Sequence, residues 1–396
     1  MLRILASLAV LLLSGCSSSA VETPRHPDKS GVDTPSPSAE RKGASRPSRL
    51  SPAAEKMRRT LAALGETPAF AFGHEDTTAY GVGWQGDPDR SDVKDVCGEH
   101  AAVHGWDLGD LGSGSQNLDG VSFESMRKLI ESAHRRGSLN TLSWHLDNPV
   151  SGGDAWDTTR AVGAIVPGGE LHARYRGLLD QVAEFFRSCR ADDGSLVPIL
   201  FRPFHEHRGD WFWWGRAHAT DAEYVALFRF TVDYLRHEKA LDNLLFAFSP
   251  GAGGIESEAD YLFRYPGDEY VDLFGLDHYY GNDASELVRA VEIAVLAAEQ
   301  HGKLAALTEF GVHRSLANPL VDTQHWFTRD FLEPLLKSQK ANGLSYALAW
   351  RNANPEHFFV PFRGHPAAPD FQKFCEAPEV VLEHELAELA RRNAAR

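Results

Sequence analysis

Residues 197–206 read Val-Pro-Ile-Leu-Phe-Arg-Pro-Phe-His-Glu, an apolar run that ends in polar side chains. Residues 304–309 read Leu-Ala-Ala-Leu-Thr-Glu and have the same form. Short apolar runs predict buried strands, and strands that are apolar on both faces are typical of parallel sheets. We therefore expect both segments to be core strands whose last residues, Glu206 and Glu309, emerge at one edge of a sheet.

Six further segments have the same character. The eight candidate strands are residues 69–73, 102–108, 139–145, 197–205, 244–249, 271–279, 304–310 and 345–350. Amphipathic helical patterns occur at residues 122–136, 171–187, 221–238, 284–301, 323–340 and 380–392. Strands that alternate with helices in this way predict an α/β fold, a (β/α)8 TIM barrel. A doubly wound open sheet is the alternative, although no glycine-rich dinucleotide turn follows the first strand.

Polar and aromatic residues cluster at the ends of these strands. They are His74-Glu75-Asp76, Asp107, His145, His205-Glu206, Asp277-His278-Tyr279, Glu309 and Trp350-Arg351. In a (β/α)8 barrel the C-terminal ends of all the strands meet on one face, where active sites are built. The clustering therefore predicts one functional site to which several strands contribute.

The composition is that of a globular domain with an acidic balance. Of 396 residues, 43% are hydrophobic and 24% are charged, and the formal net charge is −15. A nucleic-acid-binding protein needs a concentrated basic surface, so nucleic acid is not an expected partner. A neutral polysaccharide is not repelled by an acidic protein.

The cysteines show no CxxC or Cys/His zinc spacing, and we expect no metal and no other cofactor.

The N-terminal residues read as a targeting signal rather than as part of the fold. Arg3 precedes an apolar run at residues 4–13, which is too short to span a bilayer as a helix. Residues 13–16, Leu-Ser-Gly-Cys, resemble a bacterial lipobox, in which the cysteine is lipidated and becomes the new N-terminus. We expect lipidation of Cys16 and anchoring to the membrane of the bacterial cell envelope. Ser17 favours the outer membrane.

Three segments follow from these patterns. Residues 1–15 are the expected lipoprotein signal peptide, and residues 16–52, rich in Ser and Pro, are an expected disordered tether with few apolar residues. Residues 53–396 are the expected barrel domain, which we expect to be a monomer. Three cysteines remain after Cys16, so at most one disulfide forms and one thiol is left over. They are Cys97, Cys189 and Cys375.

Glu206 and Glu309 end the fourth and seventh strands, which face each other across the mouth of an eight-stranded barrel. Retaining glycoside hydrolysis needs one carboxylic acid that protonates the leaving oxygen and one carboxylate that attacks the anomeric carbon. The two groups stand about 5–5.5 Å apart. The pair therefore predicts a retaining glycoside hydrolase. For either residue alone, a salt bridge or a position on the rim is the competing interpretation.

Several motifs resemble those of glycoside hydrolase family 26. Residues 201–206, Phe-Arg-Pro-Phe-His-Glu, with residues 209–215, Gly-Asp-Trp-Phe-Trp-Trp-Gly, resemble the acid/base segment of that family. Residues 308–311, Thr-Glu-Phe-Gly, resemble its nucleophile segment, and the likeness extends over roughly residues 65–375. The resemblance implies a (β/α)8 barrel and endo-β-1,4-mannanase activity on β-mannan, galactomannan or glucomannan.

The same resemblance implies roles for single residues. It makes Glu206 the acid/base and Glu309 the nucleophile. As substrate-binding residues it implies His145, His205, Trp211, Trp350 and Arg351. Two more substrate-binding residues are expected from their positions: Trp156 follows a glycine-rich loop and should line the cleft, and Tyr279 lies at the end of its strand. Trp211 would stack on a sugar beside the cleavage point, whereas its neighbours Trp213 and Trp214 also suit the core. Tyr279 at its strand end can donate a hydrogen bond to the nucleophile and keep it ionised.

Other functions stay open at this point. The family also contains β-1,3-xylanases and mixed-linkage β-glucanases, and the loops that select between them have no clear sequence signal. His205-Glu206-His207 contains a His-x-His motif that would suit a metal hydrolase, although in such barrels it normally ends the first strand. A non-catalytic glycan-binding lipoprotein would use the same aromatic residues, but it would not need both glutamates.

Overall fold

Eight parallel strands close into a barrel in the structure, a computed structural model that describes residues 50–394. The strands are β1 (Phe70–Glu75), β2 (Val103–Asp107), β3 (Leu139–Trp144), β4 (Ile199–Pro203), β5 (Leu244–Phe248), β6 (Leu273–Tyr280), β7 (Leu304–Val312) and β8 (Leu344–Ala349). Each pairs with the next along the chain, and β8 pairs with β1, with Ala71 opposite Tyr346. The predicted (β/α)8 TIM barrel is confirmed, and the open-sheet alternative is wrong.

Helices surround the barrel. They are α1 (Pro52–Gly65), α2 (Asp92–Cys97), α3 (Phe123–Arg136), α4 (Val162–Ile165), α5 (His172–Ser188), α6 (Asp221–Asp233), α7 (Glu258–Tyr261), α8 (Ser285–His301), α9 (Glu333–Lys337), α10 (Ala368–Cys375) and α11 (Glu383–Ala394). Segments of π-helix follow α6 at Tyr234–Glu238 and precede α9 at Trp326–Leu332. Within residues 50–394, no helix combines the length and apolar character that crossing a membrane requires.

The expected signal peptide, Cys16 and nearly all of the expected tether lie outside the described residues. The first described helix, α1, begins at Pro52, beside the expected boundary at residue 53. Its N-cap is Ser51, whose side chain accepts a hydrogen bond from the Ala54 N–H at 3.3 Å. A serine N-cap followed by proline in the first turn is a common start for a helix.

Helix α1 closes the bottom of the barrel. Its buried side chains Met57, Leu61 and Leu64 belong to one apolar cluster with barrel-interior residues such as Leu200 and Leu245. The larger cluster fills the layer between the strands and the outer helices. Because the bottom is packed, the polar ends of the strands are the part of the barrel interior that a ligand can reach.

Two of the predicted helices differ from the structure. In the segment 380–392, Val380 and Val381 pair with β1 as a short strand, and the helix begins only at Glu383. Two consecutive β-branched residues suit a strand better than a helix. The segment 323–340 is π-helix followed by only five residues of α-helix. There the buried carboxylate of Asp370 accepts the N–H groups of Phe327 and Thr328 at the start of the helix.

Candidate active site

Glu309 lies near the end of β7 with its carboxylate almost fully buried. The Tyr279 hydroxyl, from β6, donates a hydrogen bond to Oε2 at 2.6 Å. The Arg202 guanidinium, from β4 on the far side of the barrel, donates a hydrogen bond to Oε1. Two donors on different strands therefore fix the orientation of this carboxylate.

Arg202 is itself held by a second carboxylate. Its Nη1 donates to Asp277 Oδ2 at 2.9 Å, and Asp277 Oδ1 accepts from the Thr308 hydroxyl at 2.7 Å. The Thr308 hydroxyl oxygen also lies 2.6 Å from the Ser249 hydroxyl oxygen. Burial raises the pKa of Asp277 to about 7, although the Arg202 guanidinium opposes this shift. The network joins β4, the end of β5, β6 and β7 beneath the nucleophile position.

Glu206 follows β4 and has a different environment. Its side chain is half-buried, and Oε2 accepts a hydrogen bond from the Trp211 indole N–H at 2.8 Å. Burial, and then the negative charges of Glu309 and Asp277, raise the pKa of Glu206 well above its usual range. The group is therefore protonated over a wider pH range than an exposed glutamate.

The backbone around Glu206 is strained. Phe204 and Glu206 both have left-handed φ values, 53° and 52°. A non-glycine residue in this region costs on the order of 1 kcal/mol and is concentrated at functional sites. The Glu206 N–H is held by the Ser249 carbonyl at 2.8 Å, which keeps the turn in place.

His145 stands at the centre of the cleft, bound to a buried aspartate. Its Nδ1 lies 2.7 Å from Asp107 Oδ2, and the Asp107 carboxylate also accepts the backbone N–H groups of Gly109 and His145. The Asp107 charge raises the pKa of His145 against the opposing effect of burial. The same interactions lower the pKa of Asp107 to about 2. The pair is therefore an imidazolium and a carboxylate at moderately acidic pH.

Aromatic rings line the cleft around His145. Trp156 stacks on the imidazole with centroids 5.2 Å apart, and Trp350 meets it edge-on at 6.3 Å. Trp156 is 48% exposed and Trp211 is 46% exposed, whereas Trp213 and Trp214 are completely buried. Two of the tryptophans thus offer open faces, which suits stacking on sugar rings. The other two belong to the core.

Gly209 explains how Trp211 reaches Glu206. A Cβ atom on Gly209 would stand 2.2 Å from the Trp211 ring. Only glycine leaves room for the indole to lie back over the chain and donate to the carboxyl group. The spacing from Glu206 to Gly209 and Trp211 is therefore a geometric requirement of this pair.

His205 and His207 do not converge. His205 is buried between His145 and Phe212, and burial together with the positive charge of Arg202 lowers its pKa well below the usual range. His207 lies on the other side of the chain, with Nε2 3.0 Å from the Phe263 carbonyl. Residues 50–394 contain no group of three or more His, Cys, Asp or Glu side chains placed to hold a metal ion.

Arg351 lies on the side of the cleft formed by β8 and β1. Its Nη2 forms an ion pair with Asp119 Oδ1 at 2.9 Å, and Asp119 neighbours Asp76, which accepts the Tyr80 hydroxyl at 2.7 Å. Burial raises the pKa of Asp119 to about 6 even beside the Arg351 cation. Arg351 is therefore fixed by an acidic partner, with part of its side chain exposed.

The structure brings the predicted site residues into one cleft. Contacts run from Trp211 to Glu206, from Tyr279 and Arg202 to Glu309, and from His205 through His145 to Trp156 and Trp350. The sequence did not predict Asp119 as the partner of Arg351, because it lies in a loop without a recognisable pattern. Phe212, which packs against both histidines, was likewise missed; its place within the tryptophan run was the available signal.

The fold and the site define a (β/α)8 barrel with two carboxylates at facing strand ends and an aromatic cleft, an arrangement typical of glycoside hydrolases. Residues 66–326 match the profile of glycosyl hydrolase family 26, and the chain belongs to this family. The match ends before β8, so Trp350 and Arg351 lie beyond it.

Known relatives agree with this membership. A mannan endo-1,4-β-mannosidase from Bifidobacterium adolescentis is 33% identical over 74% of this chain and 31% of that protein. One from Bacillus subtilis is 30% identical over 48% of this chain and 53% of that protein. The chain thus spans only about a third to a half of these relatives. The solved structure of a β-mannanase from Bacteroides ovatus is 39% identical, with a TM-score of 0.78, over 85% of this chain and 97% of that one.

Proposed function

We propose that the protein is a retaining endo-β-1,4-mannanase that hydrolyses β-mannan, galactomannan or glucomannan. Family membership supports glycoside hydrolysis, and the named activities of the relatives support mannan as the substrate. The chain is acidic, which suits a neutral polysaccharide, and no cofactor is needed for this chemistry.

The contrast between the two glutamates carries the proposal. Glu309 is buried and accepts hydrogen bonds from Tyr279 and Arg202, which aim its carboxyl oxygens. Glu206 is half-buried, has one indole donor and has a raised pKa. A pair of carboxyl groups whose environments differ in this way is suited to one nucleophile and one acid.

In the proposed mechanism Glu309 attacks the anomeric carbon while Glu206 donates its proton to the leaving oxygen. A covalent glycosyl-enzyme forms, and the leaving sugar departs as an alcohol. Glu206, now a carboxylate, takes a proton from water, and the water oxygen displaces Glu309 from the anomeric carbon. Two inversions at that carbon give net retention.

The remaining predicted residues are proposed to hold the sugars. His145 and Arg351 donate hydrogen bonds to hydroxyl groups on the glycone side, and Trp350 forms the floor under the attacked sugar. Trp211 and Trp156 offer exposed faces for stacking. Tyr279 orients the nucleophile. His205, 3.9 Å from Glu309 Oε1, is close enough to bond a hydroxyl of the attacked sugar.

A substrate panel tests the proposed activity. The wild type should release reducing sugar from mannan, galactomannan and glucomannan, and Glu309→Ala should abolish this release while retaining binding. Glu184→Ala, an exposed glutamate on α5, serves as the control. Release from β-1,3-xylan or lichenan instead would assign a xylanase or a mixed-linkage glucanase. Binding without release by the wild type would assign a glycan-binding protein.

We also propose that the mature protein begins at Cys16, is lipid-anchored to the cell envelope and is a monomer. The lipobox-like residues 13–16 and the short apolar run before them support the anchor. Mass spectrometry of the N-terminal peptide from membrane fractions should find diacylglyceryl-modified Cys16. A mature protein with an unmodified Cys16, recovered from the medium, would contradict the anchor. Size-exclusion chromatography with light scattering on residues 53–396, without detergent, measures the mass in solution and tests whether the domain is a monomer.

A further inference from the structure

Cys97 and Cys375 end two helices that pack together where the barrel closes. Cys97 is the last residue of α2, which follows β1, and Cys375 is the last residue of α10, which follows β8. Asp92, at the start of α2, accepts a hydrogen bond from Asn352 at 2.7 Å. The same seam therefore adjoins the β8 end that carries Arg351.

The two thiols are neighbours across this seam. The Cys97 side chain packs against the apolar cluster that contains Cys375, and Cys97 is one of the groups that raise the pKa of the Cys375 thiol. Cys189 is instead buried at the end of α5, with Sγ 3.5 Å from the Phe185 carbonyl. All three are free thiols in the structure. The packing of α2 against α10, with one cysteine at the end of each helix, selects one pair from the three that the sequence leaves open.

We propose that Cys97 and Cys375 form a disulfide that fastens α2 to α10 across the closure of the barrel, leaving Cys189 as the unpaired thiol. Disulfides form readily in exported proteins, which meet an oxidising compartment. The oxidant is an external disulfide, either a protein oxidant or oxidised glutathione. The proposal is independent of the enzymatic activity proposed above.

The chemistry balances as two thiol–disulfide exchanges. Cys97 is partly exposed, so its thiolate attacks the external disulfide, forms a mixed disulfide and releases one thiol. The Cys375 thiolate then attacks the Cys97 sulfur and releases the second thiol. Two protons and two electrons pass from the protein to the oxidant. Burial and the adjacent Cys97 raise the pKa of Cys375, so the second exchange should be faster at alkaline pH.

The cross-link would enclose about 280 residues, which is nearly the whole barrel. Closing a long loop restricts the unfolded chain strongly, and the stabilisation should raise the melting temperature by about 5 °C. The effect should appear on oxidation and disappear on reduction.

The test uses the full chain, purified under reducing conditions and then treated with oxidised glutathione. Non-reducing peptide mapping by mass spectrometry should find the Cys97 peptide joined to the Cys375 peptide with loss of two hydrogens. Cys189 should be alkylated on its own, and the Cys16 peptide is mapped separately. The melting temperature is measured before and after oxidation for the wild type, Cys97→Ser, Cys375→Ser and Cys189→Ser.

We expect oxidation to stabilise the wild type and Cys189→Ser equally, and to leave Cys97→Ser unchanged. Cys97 is partly exposed, so its serine variant remains informative if the buried Cys375→Ser does not fold. Free Cys97 and Cys375 in the oxidised wild type would overturn the proposal. A stable glutathione adduct on Cys97, or a bond from either residue to Cys189, would overturn it as well.

Discussion

Glu206 and Glu309 have the same side chain, and their neighbours give them different properties. Arg202 and Tyr279 hold Glu309, while Glu206 has one indole donor and a raised pKa. The sequence predicted both strand-end positions, because each apolar run stops at its glutamate. It did not predict that Arg202 would cross the barrel to Glu309, since that contact depends on barrel closure rather than on any local pattern.

Replacing the proposed acid should affect poor leaving groups most. Glu206→Ala should lower kcat on mannan by about 10²–10⁴-fold. An aryl mannoside whose phenol needs little protonation should be affected much less in its first step. Initial rates on both substrates, with Glu184→Ala as control, check this. Equal losses on the two substrates would contradict the assignment of Glu206 as the acid.

The raised pKa of Glu206 also predicts a pH dependence. As the pH rises through the pKa of Glu206, the acid loses its proton, so kcat/KM of the wild type on mannan should fall on the alkaline side. Glu206→Ala, assayed with the activated aryl mannoside, should lack this alkaline limb. An unchanged alkaline limb in the variant would assign it to another group.

The Asp107–His145 pair predicts a loss of substrate binding when the carboxylate is removed. Asp107→Asn keeps the shape but removes the charge that favours the His145 cation. We expect kcat/KM on mannan to fall about 10–100-fold, because a charge-assisted hydrogen bond to the sugar becomes a neutral one. Steady-state kinetics measure the fall in kcat/KM, and a melting curve of the same variant shows whether the protein is still folded. Unchanged kcat/KM in a folded variant would show that His145 does not need Asp107.

At the scale of elements, the strands were easier to predict than the helices. All eight barrel strands fall within the predicted apolar segments or within three residues of them, because burial on both faces leaves a strong signal. The segments 323–340 and 380–392 were misassigned as continuous helices, because tertiary contacts decide them. Val380 pairs with Phe70 on β1, and Asp370 binds the start of the π-helix. No local pattern in either segment specifies those partners.

Helix α1 offers a stability test of the closed barrel bottom. Leu61 is 1% exposed within the apolar cluster that joins α1 to the barrel interior. Leu61→Ala should lower the free energy of unfolding by about 2–5 kcal/mol. Leu296→Ala on α8, where the leucine is 38% exposed, is the matched control and should cost less than about 1 kcal/mol. Urea titrations measure the free energy of unfolding of both variants. Equal losses would contradict the claim that α1 closes the bottom of the barrel.

For the whole molecule, buried histidines should make stability depend on pH. His207 is fully buried between Tyr224 and Phe263, and burial lowers its pKa from 6.5 to about 3. Below pH 6.5 the unfolded chain binds a proton that the folded chain does not. The free energy of unfolding therefore falls as the pH decreases from 6.5 towards 3, and His207 accounts for a loss of about 1.4 kcal/mol per pH unit.

The variant His207→Gln isolates this effect from the other titrating groups, because buried carboxyl groups with raised pKa values change stability in the opposite direction. Between pH 6 and 4 the wild type should lose about 2–3 kcal/mol more than His207→Gln in urea unfolding experiments. Parallel pH profiles for the two proteins would show that His207 is not held neutral by the fold.

In the proposed mechanism, Glu309 attacks the sugar to form a covalent intermediate. A 2-deoxy-2-fluoro-mannosyl fluoride should form that intermediate quickly and hydrolyse it slowly, so the intermediate accumulates. Peptide mapping of the inactivated protein should find the fluorosugar on Glu309 and nowhere else. A label on another residue, or fast turnover with inversion at the anomeric carbon and no labelled protein, would contradict the role of Glu309 as the nucleophile.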